Sequence, residues 1–598
     1  EEQLAGRRVS AMILAPTDDG RGKPVAVGTP VPAADEVRLS IPAADLPVGD
    51  YEVAVQVVSA EGVTEYAAET PLRKLPPAPG GHEWRFDENN VLLHNGEPFL
   101  PFGWFSYNFG QHTAEDPYTA MQEYNSQYRM VEENLERMDQ IGAKGLYVAI
   151  YPYGRGFMNT GDVVKQPLTD EEAAVLRERV TGMRDHEALL AWYMADEPEL
   201  RPVLPRRAEQ IYEVARDADP YHPCIMLNDS IAGIHSYTGG GDILMPDPYP
   251  LFLQGKLAAR GIERTSEFIK ACVEASGGRK AVWVTPQAFN YGDYGRDENR
   301  APNLVELRNQ CYQAAVYGAK GFLWYTYSQA SNYPSLGIGM HFLCREALDL
   351  QDAVLAPDAE DAVTVEADQP AHMHVAVRRA GDQLYIIAVS TATEPQQATI
   401  KLAGLPARLH VVSEGRSVDT AGAAISDRFD TYATHIYTTD AALEGRPALA
   451  EAEQRIAEAD AARRKPGNVA FEDGGATVEV SSGARYGNTP SRVLDGIEVG
   501  MGWRADQSAR GEQWLAVGWP QEQTVGRVVV YSTDVLGIRV EAPGAAEGEW
   551  RAVAEATGEG RLETTFDPLT ASSLRIVVTA VADGTAGAAI QEVEVYVQ

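Results

Sequence analysis

The chain has 598 residues, of which 44% are hydrophobic and 23% are charged, a composition typical of globular proteins. A single hydrophobic core rarely extends beyond about 250–300 residues, so we expect several domains. With 86 acidic and 51 basic residues the formal net charge is −35, which argues against nucleic acid or an anionic membrane as a partner. No run approaches the roughly 18 apolar residues of a membrane span.

The cysteine and histidine patterns argue against a disulfide framework and against a metal site. The four cysteines lie in the middle third of the chain without paired spacing, so we expect them to be free and buried. The histidines show no metal-ligand spacing, and we expect no cofactor. Since the chain begins with two glutamates and no apolar leader, we expect a mature form whose signal peptide was removed, located outside the cell or in the periplasm.

The first domain is predicted to be a β-sandwich over residues 1–75. Apolar and polar residues alternate there between Gly, Pro and Asp turns, as in the run YEVAVQV at 51–57. A stiff and then flexible linker, LPPAPGG, follows at 75–81.

Residues 82–352 are predicted to form a catalytic (β/α)8 barrel, because apolar strands alternate there with amphipathic helices. The predicted strands are 99–105, 145–151, 189–195, 224–227, 243–246, 281–285 and 321–325. The predicted helices between them include 130–141, 170–184, 206–218 and 304–317. Seven strands are recognisable where a barrel needs eight, so we expect the remaining strand between 105 and 145. A doubly wound open sheet is the alternative, but the length suits a barrel better.

The rest of the chain is predicted to be a second β-sandwich at 356–445, a linker helix at 446–465 and an all-β module at 466–598. The fold class is therefore a multidomain protein whose central TIM barrel is flanked by β-sandwich domains. The last module resembles discoidin-like family 32 carbohydrate-binding modules in the order of short motifs: LDG at 494, GW at 502, QWLAV at 513, RVVV at 527 and QEVEVY at 591. The resemblance implies sugar binding through variable loops; a purely structural appendage is the alternative.

The strand ends of the predicted barrel carry acids, amides and aromatic residues. Since a barrel builds its pocket from these ends, the candidate pocket residues are Trp104, Tyr151, Tyr153, Asp196, Glu197, Asn228, Asp229, Asp247, Tyr249, Gln287, Trp324 and Tyr325. No P-loop, nucleophile elbow or zinc-protease motif is present. Such a rim fits a carbohydrate, because aromatic faces stack on sugars while acids and amides bind hydroxyl groups. Trp192 and Trp283 are expected in the core.

The segment LLAWYMADEPE at 189–199 is the strongest single motif. An apolar run ends in Asp196 and Glu197, followed by proline, as a buried parallel strand would at its reactive tip. The alternative is a surface turn whose acids cap the next helix.

At this point the barrel resembles that of retaining glycoside hydrolases, in which the acid/base glutamate follows Asn or Asp at the tip of strand 4. Glu197 matches that residue, and Asp247-Pro248-Tyr249 occupies the place of a sugar-contacting motif on strand 6. The chain departs from the pattern at strand 7, where Gln287 stands in place of the nucleophilic glutamate and an amide is no such nucleophile. Asp196 does not replace it, because neighbouring Cα atoms are about 3.8 Å apart and retention needs carboxyl groups about 5–5.5 Å apart on opposite sides of the sugar.

The adjacent pair Asp196-Glu197 resembles the catalytic pair of substrate-assisted hexosaminidases such as families 20 and 123. The resemblance implies that the 2-acetamido oxygen attacks, that Asp196 orients the acetamido group and that Glu197 protonates the leaving oxygen, while Tyr249 or Gln287 binds the acetamido carbonyl. The implied activity is retaining hydrolysis of β-linked N-acetylhexosaminides (GalNAc or GlcNAc), with β-N-acetylgalactosaminidase as one candidate. The substrate would be an oligosaccharide or glycoconjugate; the sequence carries no signal for an oligomeric state. The expected substrate-binding residues are Trp104, Asn228, Asp247, Tyr249, Gln287, Trp324 and Tyr325.

Two alternatives stay open. A two-carboxylate glycosidase, similar to β-galactosidases or β-mannosidases, would use Glu197 as acid/base and Asp247, Asp229 or Glu306 as nucleophile. Glu306, three residues after Asn303, is otherwise expected in a capping box. The second alternative is a barrel that binds carbohydrate without catalysis. In either enzyme we expect burial and the neighbouring acid to raise the pKa of Glu197.

Overall fold

The computed structural model divides into two compact units, Glu1–Glu83 and Trp84–Gln598. The structure describes the chain except residues 1–3, 18–21, 36, 126–129, 155–156, 158–160, 252–260, 295–298, 360, 421, 485–488, 501, 547, 586 and 598. Among the described residues, none of the helices combines the length and apolar character needed to cross a membrane.

The described part of the first unit contains a five-stranded antiparallel sheet. Its strands are β1 (Arg8–Ala15), β2 (Lys23–Val27), β3 (Val31–Pro32), β4 (Gly49–Val58) and β5 (Thr64–Lys74). They pair in the order β2-β1-β4-β5, and β3 pairs with β1. The first eight residues of β5 are exposed.

The second unit begins with a small three-stranded sheet ahead of the barrel. It consists of β6 (Trp84–Phe86), β7 (Leu92–His94) and β8 (Glu97–Pro98). The Trp84 ring stacks on His94 with the centroids 4.1 Å apart, which fixes the turn between β6 and β7.

Eight parallel strands then close into a barrel, which confirms the predicted fold class. They are β9 (Phe102–Phe105), β10 (Ala120–Gln122), β11 (Tyr147–Ile150), β12 (Leu189–Ala195), β13 (Cys224–Asn228), β14 (Ile243–Pro246), β15 (Ala281–Val284) and β16 (Ala319–Trp324). The strand missing from the sequence prediction is β10, which lies between β9 and β11. Gly103 allows β9 and β10 to approach closely, since a Cβ there would lie 1.7 Å from the carbonyl oxygen of Ala120.

Helices surround the barrel and bury their apolar faces against it. They are α1 (Val131–Gly142), α2 (Asp170–Met183), α3 (Pro205–Ala218), α4 (Ile231–Tyr237), α5 (Arg264–Ser276), α6 (Leu304–Val316), α7 (Pro334–Asp349) and α8 (Gln351–Leu355). Because the strands are parallel, the residues after their carboxyl ends meet at one rim. All seven residues of β12 are buried, so Asp196 and Glu197 emerge from a rigid strand. The four cysteines are free and buried, as expected.

Residues after the barrel form two antiparallel sheets that pack against it. The strands are β17 (Val363–Ala367), β18 (Met373–Ala380), β19 (Gln383–Ser390), β20 (Gln396–Leu402), β21 (Arg408–Val411), β22 (Arg416–Asp419), β23 (Ala424–Phe429) and β24 (Thr434–Thr438). α6 carries the contact: Arg308 Nη1 donates to the carbonyl of Thr434 (2.5 Å), and Asn309 Nδ2 donates to the carbonyl of Ser390 (2.9 Å). Such satisfied buried polar contacts fix the two parts in one arrangement.

The C-terminal module follows helix α9 (Ala448–Arg463). Its strands are β25 (Thr477–Val480), β26 (Trp503–Arg504), β27 (Trp514–Ser532), β28 (Val535–Pro543), β29 (Trp550–Thr557), β30 (Gly560–Val581), β31 (Ala589–Ile590) and β32 (Glu592–Val597). Six of them form one antiparallel sheet, and β26 pairs with β31. A separate core that includes Trp503, Leu515 and Val593 lies inside the module.

Candidate active site

Glu197 lies directly after β12, the fourth strand of the barrel, in a left-handed conformation (φ 45°, ψ 57°). The backbone turns there into the 3-10 turn Pro198–Leu200. Two other rim residues are left-handed, Ser106 after β9 (φ 52°) and Tyr249 after β14 (φ 35°). Non-glycine residues adopt this conformation at a cost, and such residues cluster at functional sites. The rim of this barrel is therefore its most strained part.

Asp196 is fixed by hydrogen bonds to both of its carboxylate oxygens. The Tyr193 hydroxyl donates to Oδ1 at 2.9 Å, and Nη2 of Arg201 donates to Oδ2 at 3.2 Å. Arg201 also donates through Nη1 to the carbonyl oxygens of Asp196 and Glu197, and its Nη2 lies 4.0 Å from Oε2 of Glu197. One arginine therefore holds both acids of the motif.

Glu197 and Asp247, which follow β12 and β14, interact electrostatically at the rim. Burial and the charges of Asp196 and Asp229 raise the pKa of Glu197 to about 7, whereas Arg201 opposes the shift. Burial and the charge of Glu197 raise the pKa of Asp247 well above its usual range. Because each negative charge disfavours another one nearby, these acids retain a proton more readily than isolated carboxyl groups do.

Tyrosines surround the acids. Tyr151 packs edge-on against Tyr193 with the ring centroids 5.0 Å apart, and Tyr249 lies 6.0 Å from Tyr325. Tyr124, Tyr249 and Tyr325 are only partly buried and so present ring surface toward the opening. Burial and the nearby carboxylates raise the pKa of each of these hydroxyls, so they remain neutral hydrogen-bond donors.

Gln287 does not face the site, contrary to the sequence prediction. Its Oε1 accepts a hydrogen bond from the backbone of Leu251 (2.9 Å), and its Nε2 donates to the carbonyls of Leu251 (3.2 Å) and Phe289 (3.1 Å). The side chain is fully buried. Both hydrogens of Nε2 and one lone pair of Oε1 are thus bonded to the backbone of the segments that follow β14 and β15. Gln287 therefore has no donor left for a substrate.

The tryptophans at the strand ends also differ from the expectation. Trp104 is fully buried and packs against Tyr118 (6.0 Å) and Tyr327 (5.6 Å), while Trp324 is fully buried against Phe102 (6.3 Å). Both rings support the rim from within the core, as Trp192 and Trp283 do. At the end of β16, the aromatic residue near the opening is Tyr325, one position after Trp324.

Asn228 and Glu199 form a bracing contact beside the site. Asn228 Nδ2 donates to Oε2 of Glu199 (2.8 Å), and the backbone amides of Asp229 (3.0 Å) and Ser230 (3.2 Å) donate to Oε1. Glu199 thus orders the loop after β13, including the start of α4. Asn228 is buried by this contact rather than presented to the opening.

Glu306 is held in the capping box predicted for it. Its backbone amide donates to Oδ1 of Asn303 (2.9 Å), and the amide of Asn303 donates back to Oε2 of Glu306 (2.9 Å). Arg300 pairs with both carboxylate oxygens at 2.7 Å. Asp293, which follows β15, is also buried.

The sequence analysis did not predict Arg201 and Tyr193 as partners of Asp196 and Glu197. The arginine follows Asp196 by five residues, and a cation so soon after two acids is a usable signal. The tyrosine lay inside the apolar run and offered no such signal.

No family model and no curated protein sequence matches the chain. Among solved structures, the chain is similar to a GH30 endoxylanase from Clostridium papyrosolvens, with 11% identity, 60% of this chain and 98% of that chain covered, and a TM-score of 0.40. It is similar to a family 39 glycoside hydrolase from Bacteroides cellulosilyticus, with 13% identity, coverages of 73% and 95%, and a TM-score of 0.39. It is also similar to the family 32 carbohydrate-binding module of C. perfringens NanJ in complex with galactose, with 22% identity, coverages of 22% and 98%, and a TM-score of 0.19.

Proposed function

We propose that the protein is a glycoside hydrolase that cleaves β-linked N-acetylhexosaminides, of GalNAc or GlcNAc, with retention by substrate-assisted catalysis. The observation that carries the proposal is a partly buried Glu197 beside an Asp196 that Tyr193 and Arg201 hold in place. It combines a proton donor with a fixed carboxylate at the mouth of the barrel.

Glu197 is the general acid/base in this proposal. A pKa of about 7 keeps a large fraction of the carboxyl protonated near neutral pH, as transfer of a proton to the leaving oxygen requires. In the second step, in which water attacks the oxazolinium intermediate, Glu197 acts as the base and takes a proton from that water.

Asp196 accepts the N–H of the 2-acetamido group in this proposal. The acetamido oxygen then bonds to the anomeric carbon while the glycosidic C–O bond breaks, and an oxazolinium ion forms. Polarising the N–H makes the acetamido oxygen a better nucleophile, and a carboxylate held by Tyr193 and Arg201 loses little freedom in doing so. Tyr249 is the candidate donor to the acetamido carbonyl, since Gln287 is committed to the backbone.

The two-carboxylate alternative is less well supported. Burial and the charge of Glu197 raise the pKa of Asp247 well above its usual range, which disfavours the ionised form that a nucleophile needs. Glu306 is bound to Arg300 and to the cap of α6.

A panel of aryl glycosides with and without a 2-acetamido group tests the proposal. We expect turnover of the 2-acetamido substrates alone, abolished in Glu197→Gln and retained in Glu187→Gln. Glu187 is the matched control, because it is exposed and lies before β12 at the other end of the barrel. Binding of glycan without turnover of any substrate would instead support a non-catalytic barrel.

A further inference from the structure

The C-terminal module contacts the barrel at the loop that follows β15. Nε of Arg492 donates to Oδ1 of Asp293 at 2.8 Å, and the Thr489 hydroxyl donates to the Asp293 carbonyl at 3.1 Å. The side chain of Asp293 is 0% exposed and that of Arg492 is 12% exposed. This is a buried ion pair between two parts of the chain separated by 199 positions.

Tyr333 completes the contact from the barrel side. Its hydroxyl donates to Asp293 (2.9 Å to Oδ1) and accepts from Nδ2 of Asn290 (2.8 Å). The guanidinium of Arg492 lies 4.7 Å from the centre of the Tyr333 ring. The Oδ1 of Asn290 accepts from the amide of Gly292 (2.7 Å), so the network ties both ends of the turn that carries Asp293.

The same turn packs against Tyr249 and Tyr325, two of the tyrosines that surround the acids and that form a wall of the site. Phe289 packs edge-on against Tyr249 (5.0 Å) and Tyr325 (5.5 Å), and the Tyr294 hydroxyl lies 3.5 Å from that of Tyr325. Tyr249 follows β14 and Tyr325 follows β16, and both interact electrostatically with Glu197. A displacement of residues 289–294 would therefore move the wall of the site.

We infer that Arg492 of the C-terminal module is a positioning residue for the active site, which holds the turn 289–294 through Asp293. The physical reason is the cost of an unpaired buried charge. Without the guanidinium, the carboxylate of Asp293 gains by reaching water, and the turn must open for it to do so. The module is then part of the catalytic unit and more than an appendage that attaches the enzyme to glycan. This inference rests on the proposed function for its activity readout.

The test compares Arg492→Ala, Arg492→Lys and Thr489→Val in the full chain with Arg527→Ala. Arg527 is the control, because its ion pair with Glu563 (3.3 Å) lies within the module. Two readouts are measured: kcat and KM for a small aryl 2-acetamido glycoside, and hydrogen exchange of residues 289–294. We expect Arg492→Ala to lower kcat/KM about 10–100-fold, mainly through KM, and to speed exchange in this turn, since a buried ion pair is lost.

The lysine variant should recover part of kcat/KM, because it keeps the charge but not the stacking on Tyr333. Should Arg492→Ala fail to fold, Thr489→Val decides, with an expected smaller loss of about 2–10-fold and faster exchange in the same turn. Exchange and KM that match those of Arg527→Ala would overturn the inference. A wild-type protein that turns over no substrate would refute the proposed function alone, because the exchange readout needs no catalysis.

Discussion

The carboxyl groups of Glu197 and Asp247 interact electrostatically although they follow strands β12 and β14, with β13 between them. Asp247 is almost completely buried, and one of its carboxylate oxygens, Oδ1, has no hydrogen-bond partner. The pair resembles the coupled acids that enzymes use to keep one carboxyl protonated near neutral pH.

Glu197→Gln should lower kcat for substrates with poor leaving groups by about 10²–10⁴-fold, because the amide keeps the shape but has no proton to transfer. The loss should shrink for leaving groups such as dinitrophenol, which depart without protonation. Steady-state kinetics on a series of aryl glycosides measures this dependence. Equal losses across the series, or normal turnover of the poorest leaving group, would remove Glu197 from the acid/base role.

The activity should fall as the pH rises above about 7, because the general acid must be protonated and the pKa of Glu197 is about 7. Asp229→Asn removes one of the negative charges that raise this pKa, so the falling limb of kcat/KM should move to lower pH. Asp185→Asn is the control, since Asp185 is exposed beside Arg184 at the other end of the barrel. If the falling limb of kcat/KM against pH does not move in Asp229→Asn, a group other than Glu197 controls that limb.

Glu197 should also make the protein less stable as the pH rises. Burial raises its pKa in the folded state above that of the unfolded chain, so its protonated form favours folding at low pH and this contribution is lost as the pH rises through about 7. Glu197→Gln should therefore have a larger free energy of unfolding than wild type at pH 8, by at most about 3 kcal/mol, and not at pH 4.5. Glu187→Gln should follow the wild type at both values. A difference between Glu197→Gln and wild type that is the same at both pH values would contradict the burial argument.

The sequence predicted the barrel and its acidic strand tip because both depend on local patterns. β12 is an uninterrupted apolar run ended by proline, and the cap formed by Asn303 and Glu306 is a spacing of three residues. β10 escaped prediction because three residues are too few to show a period.

Side-chain direction and long-range contacts could not be predicted in the same way. Gln287 follows β15 as a pocket residue should, yet its amide turns into the backbone of Leu251 and Phe289. The sequence beyond the end of a regular strand does not determine which of two neighbouring side chains points into the pocket. Arg492 and Asp293 meet only because the C-terminal module packs on the barrel, and no local spacing records that.

The two catalytic mechanisms differ in the inhibitor that each should bind tightly. If the 2-acetamido group attacks, thiazoline analogues of the sugar should inhibit strongly, since they resemble the oxazolinium ion and the transition states that flank it. Asp196→Ala should then lose most of its turnover, although Asp196 transfers no proton, and Asp196→Asn should lose nearly as much because an amide does not polarise the N–H as a carboxylate does.

Substrates with a 2-hydroxyl group should be nearly inert with the wild-type protein. If a protein carboxylate attacks instead, a 2-deoxy-2-fluoro glycoside should trap a covalent adduct, which peptide mass spectrometry would locate on Asp247, Asp229 or Glu306. We expect no adduct, because burial and the charge of Glu197 raise the pKa of Asp247, Glu306 is bound to Arg300, and β15 is followed by Gln287. An adduct on any of the three, together with weak inhibition by the thiazoline, would establish the two-carboxylate mechanism.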